Sequence, residues 1–242
     1  MDQLLIALDV PTGAEAVRLA DLLRGRVGGF KIGSQLFTAE GPAIVRTLTT
    51  RGDRVFLDLK FHDIPNTVAN AVAAATSLGV WMVNVHASGG TKMMQAAVGA
   101  ARNTANAEGR PAPLVIAVTV LTSMTAAAMS EAGASVPVID QVSRLARLAQ
   151  EAGLDGVVAS PQETSVIRSL CGPGFSIVTP GIRGGAAVTS KDDQERTLTA
   201  AGAIAAGASY LVVGRPIIAA PDPREAAEKI ADELRAALPS QS

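Results

Sequence analysis

The feature that most constrains this chain is a regular alternation of short apolar runs with longer segments of helical character. Eight such runs predict strands, at residues 4–9, 28–33, 54–60, 81–87, 113–121, 156–160, 176–182 and 210–216. Each run precedes a helix-compatible segment, most clearly at 13–25, 66–79, 135–153 and 223–238. Alternating βα units imply a parallel sheet, and eight of them imply closure into a (β/α)8 TIM barrel. We therefore expect one α/β barrel domain spanning residues 1–242.

Local signals support these boundaries. Glycines are expected to end helices at Gly25, Gly79, Gly153 and Gly172, and prolines stand near expected helix starts at Pro65, Pro161 and Pro223. The alternative is an open, doubly wound sheet. That fold usually needs fewer units and a glycine-rich phosphate loop, and neither GxGxxG nor GxxxxGK[ST] occurs in the sequence.

Composition excludes several classes of protein. Although 48% of residues are hydrophobic, no unbroken apolar stretch reaches the length of about 18 residues that a membrane span needs. The apolar content instead indicates strands buried on both faces. A net charge of -1 and 3% aromatic residues argue against nucleic-acid binding. One cysteine and two histidines exclude a disulfide scaffold and a Cys/His zinc site.

The single cysteine also bears on location. Lone Cys171 is expected to be a small buried residue in a reducing compartment rather than a nucleophile. The first residues, MDQLLIALDVP, lack the basic segment and the apolar length of a signal peptide. We expect a cytoplasmic protein with no membrane partner.

Polar side chains recur where the predicted strands end, which is where TIM barrels carry their chemistry. They are Asp9, Lys31, Asp58, Lys60, Asp63, Asn84, His86, Thr122, Ser123, Pro180 with Arg183, and Gly214 with Arg215. Any one of these charges is readily explained as a solvated loop residue or a structural ion pair. The same position at the ends of successive strands, however, predicts an active site.

The third strand is the most informative. Asp58 and Lys60 are two residues apart and should share one face of the strand, with Asp63 in the following turn. Together with Lys31 they predict a ring of two cations and two or more anions. A lysine among carboxylates keeps its charge, so it is a poor Schiff-base nucleophile and a good proton donor to a developing carbanion.

The loops after the last two strands suggest a phosphate site. Gly181 and Gly214 let the backbone approach a ligand, and Arg183 and Arg215 can bind phosphate bidentately. The long, small and polar segment 184–191 is typical of a mobile lid. The alternative is an ordinary surface loop with two unrelated arginines.

These residues together resemble the orotidine 5′-phosphate decarboxylase family. Its signature, Asp-x-Lys-x-x-Asp-[Ile/Val]-[Pro/Gly]-x-Thr, corresponds to DLKFHDIPNT at 58–67. Flanking motifs also match in order, around Asp9, Lys31, Thr122, Arg183, Gln194, Gly214 and Arg215. The similarity runs from Asp9 to Arg215 and implies decarboxylation of orotidine 5′-phosphate to UMP.

The resemblance also implies roles for individual residues. Lys60 would donate a proton to C6 of the pyrimidine, and Asp58 would lie beside the substrate carboxylate. Lys31 and Asp9 would bind ribose hydroxyls and belong to the charge network. Asp63, with Ile64 and Thr67, would complete the active site of the other subunit in a homodimer.

The remaining implied substrate contacts concern the base and the phosphate. Thr122 would contact the pyrimidine edge, and Gln194 would link the lid to base and phosphate. The phosphate contacts would come from Pro180, Arg183, Gly214 and Arg215. The reaction would need no cofactor and no metal, because electrostatics arranged in advance can stabilise the carbanion.

Three alternatives remain at this point. The first is a magnesium-dependent sugar-phosphate decarboxylase or aldolase of the same superfamily, which shares the Asp-x-Lys-x-x-Asp strand. Ile64, Pro65, Thr67 and Gln194 fit the orotidine family better. The second is a metal-dependent epimerase, for which His86 and Asp58 are candidate ligands but two histidines are few. The third is a non-catalytic phosphate-binding protein, which would have no need of Lys60 among carboxylates.

Overall fold

The computed structural model describes residues 2–183 and 198–237, and within them the chain forms a closed parallel barrel. Its strands are β1 (Leu4–Ala7), β2 (Gly29–Gly33), β3 (Val55–Phe61), β4 (Met82–His86), β5 (Leu114–Val118), β6 (Gly156–Val158), β7 (Ser176–Thr179) and β10 (Tyr210–Val213). They pair in the order β1-β10-β7-β6-β5-β4-β3-β2, which closes the sheet. The predicted (β/α)8 barrel is confirmed. A separate two-stranded pair consists of β8 (Ile182–Arg183) and β9 (Leu198–Thr199).

Helices follow the barrel strands along the chain. They are α1 (Gly13–Leu23), α2 (Ser34–Glu40), α3 (Pro42–Thr49), α4 (Pro65–Ser77), α5 (Gly90–Ala107), α6 (Ala126–Glu131), α7 (Val138–Glu151), α8 (Thr164–Cys171), α9 (Ala200–Ala205), α10 (Arg215–Ile218) and α11 (Pro223–Ala237). Local sequence sets several of their ends. The Thr12 hydroxyl accepts a hydrogen bond from the Glu15 N–H at the start of α1, and Pro65 begins α4 where no backbone donor is needed.

Several strands end earlier than the sequence predicts. β1 stops at Ala7, β5 at Val118 and β10 at Val213, so Asp9, Thr122 and Arg215 lie in the loops or the helix beyond. The run expected at 176–182 is divided, because β7 ends at Thr179 and Ile182 pairs with Leu198 instead. Apolar runs extend past the last ladder hydrogen bond, so hydrophobicity alone overestimates strand length.

Helix boundaries agree at most of the predicted positions. Gly25, Gly79, Gly153 and Gly172 all have positive φ at or just after a helix end, as expected of C-terminal glycines. The expectation for Pro161 is wrong, because α8 begins three residues later at Thr164 and Pro161 lies in a turn. No helix in the part of the chain described is long and apolar enough to cross a membrane.

The apolar side chains divide into two clusters. The larger one fills the space between the strands and the surrounding helices and includes Met93 and Met94 of α5. The smaller one lies inside the barrel and consists of Leu5, Ala7, Phe56, Met82, Ile116, Val178 and Val212. Strands buried on both faces account for the high apolar content. Cys171, expected to be buried, is only partly so, and burial raises its pKa.

Candidate active site

A cavity of about 570 Å³ opens at the carboxyl end of the barrel. A cavity of this size suits a small-molecule ligand. Nine of the residues expected from the sequence line it: Asp9, Lys31, Asp58, Lys60, Thr122, Pro180, Gly181, Gly214 and Arg215. They come from six different strands or the loops after them, so the barrel brings together positions that lie far apart in sequence.

Four of these residues form a continuous row of alternating charge. The Lys31 ammonium donates to Asp9 Oδ1 at 2.9 Å and lies 3.5 Å from Asp58 Oδ2. Asp58 Oδ1 in turn accepts a hydrogen bond from the Lys60 ammonium at 2.7 Å. Asp58 and Lys60 both line the cavity, as their spacing in the sequence predicts.

The two ammonium groups differ in access. The Lys31 side chain is 10% exposed and lies between two carboxylates, whereas the Lys60 side chain is 35% exposed and, among residues 2–183 and 198–237, contacts one carboxylate. The Lys60 ammonium carries three N–H donors and lines the cavity, so it can donate to a ligand there. The geometry thus distinguishes Lys31, whose ammonium lies between two carboxylates, from Lys60, whose ammonium is more accessible from the cavity.

Asp58 carries its charge in a mostly buried position. Burial by itself would raise the pKa of this carboxyl. The charges of Lys31 and Lys60, and hydrogen bonds from Lys60 and Asn84, act in the opposite direction and prevail, so the pKa of Asp58 lies below its ordinary value of 3.8. Asp58 is therefore ionised at neutral pH.

The backbone beneath Lys60 is unusual. Lys60 has a φ of 53°, and no other residue besides glycine has positive φ in the described ranges 2–183 and 198–237. The pairing of β3 with β4 shifts register here, between Leu57 and Phe61. Non-glycine residues in this conformation are strained and concentrate at functional sites. The strand irregularity thus coincides with the residue that presents the available ammonium.

Three residues expected at the site do not join it within one chain. Asp63, Ile64 and Thr67 are exposed, with Ile64 at 66%, and none of them lines the cavity. Asp63 Oδ1 accepts a hydrogen bond from the N–H of Ile64 instead of approaching Lys60. Within one chain the second anion beside the two lysines is Asp9, and the place of Asp63 in the ring stays a prediction. Asp63 lies exposed in the connection between the end of β3 at Phe61 and the start of α4 at Pro65.

The predicted phosphate-binding loops are described in part. Gly214 precedes α10, Arg215 begins it, and both line the cavity next to Pro180 and Gly181. The backbone of Arg183 pairs in β8. Gln194 and the predicted lid at 184–191 lie outside the described residues.

The two histidines lie together near the mouth of the barrel. The rings of His62 and His86 are 5.5 Å apart between centroids. Burial lowers the pKa of His86, and the positive charges of His62 and Lys60 lower it further, against an opposing effect of Asp58. No group of three or more His, Cys, Asp or Glu side chains suited to a metal ion occurs among residues 2–183 and 198–237.

The sequence interpretation missed other residues that line the cavity. Apolar side chains form its floor and wall, among them Phe56, Val118, Val158, Val178 and Val212. Phe56 could have been found, because it occupies the inward position two residues before Asp58. Gln35, near the start of α2, also lines the cavity and carries no signal in the sequence that marks it.

A closed βα barrel with alternating ammonium and carboxylate groups at its carboxyl end defines a TIM-barrel enzyme for a small anionic substrate. The model of the "Orotidine 5'-phosphate decarboxylase / HUMPS family" matches residues 2–230. The chain belongs to this family.

Individual relatives agree. The orotidine 5′-phosphate decarboxylase of Moorella thermoacetica is 56% identical over 96% of this chain and 92% of its own. That of Syntrophotalea carbinolica is 53% identical over 98% and 96%. The crystal structure of the Lactobacillus acidophilus enzyme superposes with a TM-score of 0.84 at 36% identity, covering 96% of this chain and 98% of its own.

Proposed function

We propose that this chain decarboxylates orotidine 5′-phosphate to UMP and carbon dioxide, the last step of de novo pyrimidine synthesis. Membership of the family and relatives of that name at more than half identity support the reaction. The observation that carries it within the site is the Lys60 ammonium, held 2.7 Å from Asp58 and facing the cavity. The reaction places negative charge on a carbon atom, and this group can neutralise it.

The proposed chemistry begins with cleavage of the bond between C6 of the pyrimidine and its carboxylate. The electron pair stays on C6 in the ring plane, where no adjacent π-system can delocalise it. Lys60 stabilises this charge and transfers one N–H proton to C6, which yields UMP. The neutral amine then regains a proton from solvent. The charge of Lys60 must therefore already be in place when the bond breaks.

Asp58 has two parts in this proposal. It holds Lys60 by a 2.7 Å hydrogen bond, and it lies where the carboxylate of the substrate is expected. Repulsion between the two carboxylates is relieved as carbon dioxide leaves. Lys31, held between Asp9 and Asp58, keeps this dense set of charges near balance.

The remaining contacts are assigned by family resemblance, and those other than Arg183 and Gln194 are also supported by their position on the cavity wall. Asp9 and Lys31 bind the ribose hydroxyls, and Thr122 contacts the pyrimidine edge. The phosphate contacts are Pro180, Arg183, Gly214 and Arg215, with Gln194 joining base and phosphate. Phosphate lies far from C6, so its binding energy acts indirectly by assembling a dry and charged site.

The reaction is proposed to need no cofactor or metal. The decisive experiment follows the loss of orotate absorbance when purified protein is mixed with orotidine 5′-phosphate in excess EDTA. We expect full turnover and stoichiometric UMP. A requirement for added magnesium would instead assign the chain to the metal-dependent members of the superfamily. A cytoplasmic location remains a prediction from the sequence.

We also propose a homodimer with shared sites. Within one chain Asp63, Ile64 and Thr67 form an exposed surface just after β3, and an Ile that is 66% exposed is suited to burial against a second copy. In a two-fold dimer each chain would then insert Asp63 beside the Lys60 of the other.

Mixed dimers test this arrangement. Lys60→Ala and Asp63→Ala chains with different affinity tags are co-expressed, and the heterodimer is isolated. One of its sites lacks both residues and the other has both, so about half of wild-type activity should return. The matched control is a heterodimer of a Lys60→Ala chain and an Asp58→Asn chain. Lys60 and Asp58 belong to the same chain's site, so each site of this heterodimer lacks one of them and should stay inactive. An active monomer, or no recovery in the first pair, would contradict the shared site.

A further inference from the structure

Asn84 is a fully buried polar side chain on β4 with no role in the proposed chemistry. Its Oδ1 accepts a hydrogen bond from the backbone N–H of Lys60 at 2.8 Å. Its Nδ2 donates to Asp58 Oδ1 at 2.6 Å, the same oxygen that receives the Lys60 ammonium. One amide therefore contacts both the backbone of the proposed proton donor and the side chain of its anionic partner.

The position of Asn84 explains why β3 can be irregular there. Leu57 pairs with Val83 and Phe61 pairs with Val85, so Asn84 alone faces the stretch 58–60 of β3. On its other side Asn84 keeps regular register with Ile116 of β5. A backbone N–H that leaves the regular ladder inside a sheet needs another acceptor. The amide oxygen of Asn84 supplies one to Lys60.

Lys60 occupies the left-handed region at this point, where only strong local constraints hold a residue with a side chain. The direction of its Cα–Cβ bond, and so the place its ammonium can reach, depends on that conformation. The orientation of the Asp58 carboxylate likewise depends on which donors hold each oxygen. Both depend on Asn84, whose own position is fixed by the regular pairing of β4 with β5.

We propose that Asn84 is a positioning residue for decarboxylation, which holds the left-handed backbone of Lys60 and the carboxylate of Asp58 in one geometry. This inference rests on the proposed role of Lys60. Asn84 itself does not touch the cavity, so it acts through the two residues it binds. A neutral amide is required because it must accept on one side and donate on the other.

The first test is Asn84→Ala, which removes both contacts. Misplacing a reacting group by about 1 Å costs about 100-fold in rate, so we expect kcat to fall by about that factor. KM and UMP affinity should change by less than about threefold, because the phosphate contacts are untouched. Thr76→Val is the matched control: Thr76 is also buried, and its hydroxyl donates to the Val72 carbonyl of its own helix. The control should keep wild-type kcat.

The second test, Asn84→Asp, separates a positioning role from a structural one. It keeps the acceptor for the Lys60 N–H but places a second carboxyl against Asp58. While the new carboxyl and Asp58 share one proton, that proton replaces the N–H donor of the lost amide. Once the shared proton dissociates, the two carboxylates repel each other. The charged groups that face the pair are Lys31 and Lys60, with His86 behind them. We expect near-native turnover at low pH and a new fall in kcat as pH rises, absent from Asn84→Ala and wild type.

The outcomes separate this inference from the proposed function. If Lys60→Ala is inactive but Asn84→Ala turns over within about threefold of wild type, the positioning role is wrong and the function stands. A folded Asn84→Asp with a pH profile like the wild type would also overturn it. If Asn84→Ala fails to fold, the pH profile of the nearly isosteric Asn84→Asp tests the positioning role instead. If Lys60→Ala itself stays active, the role of Lys60 fails first.

Discussion

The two ends of the barrel interior are built on the same strands yet have opposite character. Toward the amino end, Leu5 and Met82 belong to a packed apolar cluster, and Phe56 of the same cluster forms part of the cavity floor above it. Along β3 and β4 the next inward positions, two residues further, are Asp58 and Asn84. Two residues along each strand, which is one repeat of the side-chain alternation, thus separate a packed apolar interior from a polar, charged one.

The amino end is closed by large side chains. Trp81 packs edge-on against Tyr210 at 5.1 Å between ring centroids, and the Arg54 guanidinium lies 3.8 Å from the centre of the Trp81 ring. These groups pack against the apolar cluster and seal the barrel from below. The carboxyl end instead leaves a cavity of about 570 Å³.

The two ends of the barrel interior therefore have different roles: the amino end provides stability, and the carboxyl end provides the chemistry. Removing apolar groups at the amino end should reduce stability and leave chemistry nearly intact. Removing a charge at the carboxyl end should impair chemistry far more than stability where another carboxylate still pairs with the buried lysine, because the electrostatics of the site depend on each charge. Variants at each end of the barrel test this difference.

Among these variants, Asp58→Asn should have the largest effect on turnover, because it removes the central anion of the charged end while it keeps the side-chain shape. It removes the anion that orients Lys60 and unbalances the charge around the cavity. We expect turnover to fall by about 1,000-fold, at the upper range for loss of one preorganised electrostatic group. The free energy of unfolding should fall by only about 1–2 kcal/mol, because Asp9 still pairs with Lys31. Steady-state kinetics and urea unfolding measure both; near-native turnover would refute the role of Asp58.

Met82→Ala should show the opposite pattern. Met82 is fully buried in the inner cluster, two residues before Asn84 on β4. Truncation should lower the free energy of unfolding by about 2–5 kcal/mol through the cavity it leaves. The kcat of the folded fraction should remain within about threefold of wild type. Met82→Leu, which nearly conserves volume, is the control. If Met82→Ala lowers kcat by more than about threefold and leaves the free energy of unfolding unchanged, the proposed difference between the two ends is wrong.

Gly33→Ala sharpens the boundary between the two ends. A Cβ at Gly33 would stand 2.9 Å from the Lys31 ammonium and 3.2 Å from Asp9 Oδ1. The backbone of Gly33, with φ of -93°, accepts alanine, so stability should hardly change. The displaced ammonium should weaken substrate binding and raise KM by about tenfold, equal to about 1.4 kcal/mol.

The control for that variant is Gly99→Ala in α5, where an added Cβ meets no atom within 4 Å. It should leave KM unchanged and raise stability slightly, because alanine is the better helix residue. An unchanged KM in Gly33→Ala would show that the Lys31–Asp9 pair tolerates displacement.

His86→Gln should have the smallest effect, and it concerns pH. Because the pKa of His86 lies below 6.5 in the folded chain, the unfolded chain takes up the proton first as pH falls. His86 therefore stabilises the fold above its ordinary pKa and opposes it below. Replacing it should make the loss of unfolding free energy between about pH 7 and pH 5 shallower. His62→Gln removes one of the charges that lower the pKa of His86, so it should make the same slope shallower to a smaller degree. An unchanged slope in His86→Gln would contradict the prediction.

Much of this arrangement could be predicted from the sequence because barrels place strand ends at one face. The apolar period identified all eight barrel strands, and the polar residues after them included most of the charged cavity wall. Strand ends were less accurate, since apolar runs such as 113–121 continue into loops that are also buried.

Other features depend on contacts that no local pattern encodes. The left-handed backbone of Lys60 carries no glycine to mark it, and it depends on Asn84, 24 residues away in sequence. The sequence predicts Asp63 beside Lys60, but within one chain Asp63 is exposed and its Oδ1 accepts a hydrogen bond from the Ile64 N–H. Its proximity in sequence to Asp58 and Lys60 could not show on which side of the chain it would lie.

The most direct measurement is the single-turnover rate of Lys60→Ala with enzyme in excess over orotidine 5′-phosphate, which isolates the chemical step from binding and product release. Lys92→Ala, which removes an exposed lysine on α5, serves as the control. We predict that Lys60→Ala lowers the rate of UMP formation by at least about 1,000-fold while UMP affinity stays within about threefold. A rate within about tenfold of the Lys92→Ala control would show that the proton comes from another group.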